Sequence, residues 1–362
     1  MSATATKPRV VVADDSALMR RIVSNLLSRG GMDVVGAAKD GDEALALCER
    51  ERPDAMTLDL AMPGLGGIDV LRQLRERGGP QIPVVVVSAF SPSHGARAVD
   101  ALAEGAFELV PKPNGHDEIQ LFEQNLLGKI QLATRARRPR APWHRDRAPA
   151  TGLPPAAPPT PPPARPAPPR PAPTRVARAL VIATSTGGPR ALATLIPGLP
   201  SPLGLGTLVV QHMPAGFTAS LAARLDRGSP LRVREAAGGE TPEPGLALVA
   251  PGGRHLRLGP DGVTALSDEA PLGGLRPRAD LLIEDAAAHW RDRLTLVVLT
   301  GMGNDGLRGA REVRRHGGRI LVEAESSCTV YGMPRVIAEA GLADAILPLD
   351  RMAAAITTEV GR

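Results

Sequence analysis

Two groups of side chains have the types and spacing to do chemistry. In the first third of the chain, Asp14 and Asp15 close one short apolar run. Asp59 closes another, in Thr57-Leu58-Asp59-Leu60-Ala61-Met62-Pro63. Ser88 closes a third, and Lys112 follows a fourth in Val110-Pro111-Lys112-Pro113. Carboxylates at that density suit a hard divalent cation such as Mg²⁺. A carboxylate beside such a cation and a lysine can attack phosphorus, because the positive charges neutralise the phosphoryl oxygens. Singly, these residues have ordinary uses: Asp15 or Ser16 as a helix N-cap, one strand-end Asp as a loop polar group, one Lys as a solvated cation. The chemistry rests on all of them meeting at successive strand ends.

The second group lies past residue 180. Ser185 stands in Ile182-Ala183-Thr184-Ser185-Thr186-Gly187-Gly188-Pro189, His212 in Val210-Gln211-His212-Met213-Pro214, and Asp305 in Leu299-Thr300-Gly301-Met302-Gly303-Asn304-Asp305-Gly306. A nucleophile, a base and an orienting acid, each just past a strand, can meet on one sheet edge. Taken alone, Ser185 and Asp305 read as N-caps and His212 as a satisfied core histidine. The Gly-rich turns could also bind phosphate. No Walker lysine follows either turn, however. Position 183 is Ala, so the serine is not in a G-x-S-x-G elbow.

The elements that must position these residues alternate along the chain. Segments 9–14, 34–38, 55–59, 84–88 and 108–110 read as short buried strands. Leu18, Met19, Ile22, Val23, Leu26 and Leu27 form an apolar stripe at helical spacing between the first two. Five βα units predict a parallel sheet with helices on both faces, and ligand sites in such sheets lie at the carboxyl ends of the strands. From residue 179 the pattern resumes, with strands at 179–183, 207–211, 294–299, 320–323 and 345–347 and a Gly/Pro-rich hairpin region over 231–266. The expected fold class is therefore α/β: a (βα)5 domain, then a linker, then a larger doubly wound, mostly parallel α/β domain with a hairpin insertion.

Composition narrows the function classes. The chain has 362 residues, room for two domains or three. Aromatic residues make up only 2%, which argues against stacked bases or an aromatic sugar platform. Cys48 and Cys328 are too few for a disulfide framework or a thiolate metal site and fit a reducing compartment. No run of 18 apolar residues exists, so no membrane insertion is expected and the cytoplasm is the expected location. The net charge of +5 is unevenly placed. Residues 125–178 hold one Lys and ten Arg against one Asp, together with 15 of the 37 prolines. Such a segment reads as an extended or disordered tether with no specific nucleic-acid site. It divides the chain into domains 1–124 and 179–362.

Residues 1–124 resemble a response-regulator receiver domain over its full length and at all its motif positions. The resemblance makes Asp59 the phospho-acceptor, with Asp14, Asp15 and Asp59 around Mg²⁺. It gives Lys112 the phosphoryl contact, Ser88 the hydroxyl that tracks the phosphate, Phe107 the aromatic switch position, and Pro113 a cis peptide bond. Residues 179–362 resemble the catalytic domain of the chemotaxis protein-glutamate methylesterases. Ala250-Pro251-Gly252 with His255, Arg276-Pro277 with Asp280, and Glu325 through Tyr331-Gly332-Met333-Pro334-Arg335 also match. This resemblance makes Ser185 the nucleophile, His212 the general base and Asp305 its orienter. The Met302 N–H, with Thr186, would form the oxyanion hole.

Together the two resemblances imply a phosphorylation-regulated esterase and glutaminase. It would act on glutamate methyl esters and glutamine amides of chemoreceptors, with a histidine kinase as phosphodonor, no cofactor in the catalytic domain, and a monomeric state. Two other readings are a same-chemistry enzyme serving a non-flagellar receptor, and a response regulator with a non-catalytic binding domain. The chain departs from the family pattern at Ala183-Thr184, where Gly-Ala is usual. It departs again at Leu275-Arg276, where His-Arg is common, and at Arg278, a position often held by Ser.

Overall fold

The computed structural model describes residues 7–76, 82–89, 92–113, 115, 118–137 and 177–361. In the first domain the chain runs β1 (Arg9–Ala13), α1 (Ala17–Arg29), β2 (Asp33–Ala38), α2 (Gly41–Glu51), β3 (Ala55–Leu58), α3 (Gly67–Glu76), β4 (Val84–Ser88), α4 (Pro92–Ala103), β5 (Glu108–Pro111) and α5 (Ile119–Arg137). The strands pair in parallel in the order β2-β1-β3-β4-β5. The valine runs of β1 and β4 are buried throughout or nearly so, as strands covered by helices on both faces must be. Asp14 and Asp59 fall one residue beyond β1 and β3. Their side chains are therefore free of the ladder and gather at its carboxyl edge.

The second domain runs β6 (Ala179–Thr184), α6 (Gly188–Leu195), β7 (Thr207–Gln211), α7 (Phe217–Arg227), β8 (Arg232–Glu235), β9 (Leu246–Val249), β10 (His255–Leu258), β11 (Thr264–Ser267), α8 (Ala279–Trp290), β12 (Leu294–Val298), α9 (Leu307–Arg315), β13 (Arg319–Glu323), α10 (Met333–Glu339), β14 (Ala345–Leu347) and α11 (Leu349–Val360). Seven of these strands form one parallel sheet, ordered β14-β13-β12-β6-β7-β9-β8. The central strands β6, β7 and β12 lead into Ser185, His212 and the turn that carries Asp305, respectively.

Three expectations are corrected. The segment 231–266 is a hairpin only in its second half, β10 with β11. Its first half supplies β8 and β9, which extend the parallel sheet because their apolar residues pack on its two faces. The first domain does not stop at 124: α5 continues to Arg137, and Leu126, Ile130 and Ala133 lie in the core at helical spacing. Lys112–Pro113 is not cis; the cis bonds among the described residues are Ser201–Pro202 and Arg276–Pro277. The Lys112 backbone is held instead by an ordinary ladder bond, its N–H to Ser88 O at 2.8 Å. The Pro/Arg-rich stretch 138–176, Trp143 included, lies outside the described residues.

The two domains share a buried face. Ala98, Val99 and Leu102 of α4 belong to one continuous apolar cluster with Leu192 of α6 and Phe217 and Leu221 of α7. Gly95 permits the approach: a Cβ there would lie 3.2 Å from Ser220 Oγ and 3.5 Å from Gly216 O.

Candidate active sites

At the edge of the first sheet, the Lys112 ammonium lies 2.7 Å from Asp59 Oδ2 and 2.8 Å from Asp14 Oδ2. Asp14 also accepts from the Ser16 N–H at 2.9 Å, and Asp59 from the Ala61 N–H at 3.3 Å. Ser16 itself caps α1, accepting from the Met19 N–H. Burial pushes the Asp14 carboxyl above the usual carboxylate range; Lys112 opposes this, and the neighbouring Asp59 charge adds to it. Burial would lower the Lys112 ammonium, but hydrogen bonds to Asp14 and Asp59 outweigh that and raise it.

Carboxylate oxygens of Asp14, Asp15 and Asp59 all lie within 4.8 Å of one another. Three hard oxygen donors that close, one of them held uncomfortably as an anion, fit a small divalent cation. Ser88 is buried beside them, with its hydroxyl directed at Ala89 O 3.5 Å away.

At the edge of the second sheet, His212 Nε2 lies 2.7 Å from Asp305 Oδ2, with the two side chains 6% and 1% exposed. An ionised carboxylate only accepts, so Nε2 carries the ring proton and Nδ1 carries the lone pair. That Nδ1 is buried and has no hydrogen-bond partner among the described residues. Asp305 is heavily supplied with donors. Its Oδ2 takes the Ala279 N–H at 2.7 Å, its Oδ1 takes the Asp280 and Gly306 N–H groups at 2.9 Å, and Arg278 Nε lies 3.2 Å from Oδ1. Burial would raise this carboxyl, but the His212 bond and the backbone donors overcome it and hold it far below the usual range.

Ser185 leaves β6 beside the point where His212 leaves β7. Thr184 stands opposite Gln211 across the ladder, and the His212 N–H donates to Thr184 O at 3.1 Å. No hydrogen bond joins Ser185 Oγ to the imidazole among the described residues; such bonds in resting enzymes tighten when substrate binds. Ser185 is instead fixed through its backbone. Its N–H donates to Thr300 O at 3.0 Å, and its carbonyl accepts from Gln211 Nε2 at 3.0 Å. The turn carrying Met302 is drawn against it: a Cβ at Gly301 would lie 2.8 Å from Ser185 Cβ. Met302 is 59% exposed, and Thr186, next to Ser185, is buried.

Thr300 joins these parts, and sequence reasoning missed it. Its carbonyl also accepts from Thr184 Oγ1 at 2.9 Å, and its hydroxyl donates to Thr186 O at 2.9 Å and accepts from the Val330 N–H. Its N–H donates at 2.8 Å to Glu323, a fully buried carboxyl that burial pushes up. The departure Thr184 thus adds a hydroxyl bond under the turn that carries Ser185. His255, matched by motif, stays outside the Ser185, His212 and Asp305 group. It is fully buried, burial lowers its pKa, and its Nδ1 accepts the Arg278 N–H at 3.1 Å.

The first domain reaches this second site. Glu108, the first residue of β5, accepts a 2.9 Å hydrogen bond from Thr186 Oγ1, one residue past Ser185. Asp100 of α4 pairs with Arg224 of α7. Phe107, buried in the first domain, lines a cleft of about 940 Å³ with Thr134, Gly187, Arg190 and Cys328. Glu108 carried no recognisable signal, because one strand-start acid in another domain has no motif.

Residues 180–356 match the family described as CheB methylesterase, and residues 10–122 match the response regulator receiver domain. A protein-glutamate methylesterase/protein-glutamine glutaminase from Symbiobacterium thermophilum is 41% identical, covering 98% of this chain and 97% of that relative. Another of that name, numbered 5, from Myxococcus xanthus is 41% identical over 97% of this chain and 98% of its own length. The crystal structure of the Thermotoga maritima CheB methylesterase catalytic domain shares 40% identity, covering 50% of this chain and 98% of that one with a TM-score of 0.49.

Proposed function

Since the chain belongs to the protein-glutamate methylesterase/protein-glutamine glutaminase family, with a receiver domain ahead of the catalytic one, we propose that it hydrolyses γ-glutamyl methyl esters and glutamine amides on cytoplasmic segments of chemoreceptors. It does so as a cytoplasmic monomer through Ser185, His212 and Asp305. Ser185 Oγ attacks the side-chain carbonyl carbon while its proton passes to the free Nδ1 of His212. Asp305, on Nε2, stabilises the imidazolium that forms. The Met302 and Thr186 N–H groups hold the tetrahedral oxyanion, a contribution of roughly 3–4 kcal/mol per donor in other hydrolases. The imidazolium returns the proton to the leaving methanol or ammonia. Water, deprotonated by the same nitrogen, then attacks the acyl-enzyme and releases glutamate and free Ser185.

The receiver regulates this site. A histidine kinase supplies the phosphoryl group to Asp59. Asp14, Asp15 and Asp59 would hold Mg²⁺, which when bound supplies positive charge against the phosphoryl oxygens. Lys112 contacts the phosphoryl group and Ser88 turns toward it. β5, which begins at Glu108 and leads into Lys112, carries the change to Thr186 and to the shared α4 face.

The observation that most supports the catalytic reading is the buried His212–Asp305 pair, with its unpartnered Nδ1, on the sheet edge where Ser185 emerges. The test is methanol release from a methylated receptor by the full chain, with and without acetyl phosphate. Release that rises with acetyl phosphate is expected. No release in either condition overturns the catalytic reading, and release indifferent to acetyl phosphate overturns the regulatory one.

A further inference from the structure

Arg278 precedes α8 and its guanidinium makes three attachments. Nη1 donates to Leu272 O at 3.0 Å, Nη2 to Asp280 Oδ2 at 2.9 Å, and Nε lies 3.2 Å from Asp305 Oδ1. The side chain is 18% exposed, against 3% for Asp280 and 1% for Asp305. A largely dehydrated cation therefore sits on the triad acid, at the oxygen opposite the one His212 holds. We propose that Arg278 is a positioning residue of the hydrolytic site that sets the pH at which His212 becomes a working base. The proposal rests on the Ser185–His212–Asp305 reading above.

Asp305 favours the imidazolium by its negative charge. A guanidinium on its other oxygen offsets that charge and so weakens the pull on the imidazolium. The surrounding groups reinforce the point. From α8, Asp280 faces the same cluster and spends its Oδ1 on the Gly306 and Gly309 N–H groups. Glu284, also of α8, adds a weaker negative field at Arg278 and is paired with Arg308 of α9. From β10, His255 touches only the Arg278 backbone, and burial lowers its pKa. Glu269, Arg276 and Arg257 act on His255 from farther out. Without Arg278, the Asp305 and Asp280 carboxylates would lie together with no cation beside them. Lysine would keep the charge, but its single ammonium cannot span Leu272, Asp280 and Asp305 as the planar fork does.

The experiment records two readouts against pH in the full-length protein: labelling of Ser185 by a small fluorophosphonate, and methanol release from methylated receptor. In Arg278→Gln and Arg278→Ser the acid limb should move up by about one pH unit. Rates below the limb should fall about tenfold and converge with wild type above it. Arg278→Lys should hold the limb near its wild-type position while lowering rates a few-fold at every pH. Asp280→Asn, which removes a negative charge, should move the limb the other way and serves where a neutral Arg278 variant does not fold. A neutral variant with the limb unmoved overturns the proposal, whether its rates fall uniformly or not at all, as does an unmoved limb in Asp280→Asn. Wild type that labels at no pH removes the triad reading itself. Labelling without methanol release removes only the substrate and leaves Arg278 tested by the labelling profile.

Discussion

Asp14 and Asp305 are both buried aspartates just past strands of parallel sheets, and they are driven in opposite directions. Asp14 is 2% exposed, accepts one backbone N–H, shares Lys112 with Asp59, and is pushed above the usual carboxylate range. Asp305 is 1% exposed, accepts His212 and three backbone N–H groups, and is driven far below that range. The receiver pocket keeps its anions short of donors, which suits the proposed entry of a cation and a phosphoryl group. The second site surrounds Asp305 with donors, so its charge and orientation stay fixed through the proposed cycle. Under-supply marks a switch here, and over-supply marks a support.

The largest effect should come where neither rule applies, at the nucleophile. Ser185→Ala removes only a hydroxyl and leaves the backbone bonds to Thr300 and Gln211. The fold should survive while methanol release falls on the order of 10⁵-fold or more, as in other serine hydrolases stripped of their nucleophile. Initial rates on methylated receptor measure it, with circular dichroism as the fold control. A drop of tenfold or less would place the chemistry elsewhere.

The two aspartates then test the contrast directly. Asp305→Asn should cut turnover by about 10⁴-fold through the wrong imidazole tautomer. It should also lower stability at pH 7 by about 2 kcal/mol, the scale of hydrogen bonds to a buried charge. A carboxyl depressed in the folded state contributes stability that is complete above its unfolded pKa of about 3.8 and fades only as pH falls through the lower folded value. The deficit of the variant should therefore shrink in strong acid. Asp14→Asn should behave oppositely. A carboxyl raised in the folded state destabilises the fold at neutral pH and ceases to do so as pH falls. This variant should melt no lower than wild type at pH 7. Parallel losses of Tm in the two variants would dissolve the distinction between support and switch.

Next in size is the receiver's own chemistry. Asp59→Asn should abolish acetyl-phosphate labelling and, with it, the rise in methanol release that labelling brings. Chelation of Mg²⁺ should do the same in the wild type, because Asp14, Asp15 and Asp59 then lack the counter-charge a phosphoryl group needs. Full labelling of Asp59→Asn would move the acceptor elsewhere.

Legibility in the residues divides along the same line. The placement of Ser185, His212, Asp14, Asp59 and Lys112 was legible because each directly follows a strand of a buried apolar run, and that of Asp305 because it lies in the turn after another; parallel topology brings such ends to one edge. Thr300, Glu323 and Glu108 were not, since their roles lie in backbone bonds and cross-domain contacts that leave no spacing to read. The hairpin expected over 231–266 was half right because Gly and Pro mark turns without saying whether the next strand runs parallel or antiparallel. The end of the first domain was set too early because the basic charge of 125–137 masked the helical spacing of Leu126, Ile130 and Ala133.

The smallest predicted effect concerns the contact that joins the two regions. Glu108 and Thr186 make one hydrogen bond between a receiver strand and the residue after the nucleophile. A single such bond contributes about 1 kcal/mol, whereas the apolar face between α4, α6 and α7 is continuous. Loss of the bond should loosen the docked receiver without releasing it. Glu108→Ala in the full chain should therefore raise methanol release without phosphodonor by only about fivefold, the factor that corresponds to 1 kcal/mol. The further rise on adding acetyl phosphate should shrink by a similar factor. Lys129 Nζ, 3.6 Å from Glu108 Oε1, keeps its bond to Leu109 O, so β5 should hold its place in the receiver sheet. Combining Glu108→Ala with Arg224→Ala, which breaks the Asp100 pair on the same interface, should raise the unstimulated rate further. If Glu108→Ala leaves both the unstimulated and the stimulated rates unchanged, β5 does not carry the signal. The coupling between the pocket of exchangeable charge and the site of fixed charge would then run through the α4 face alone.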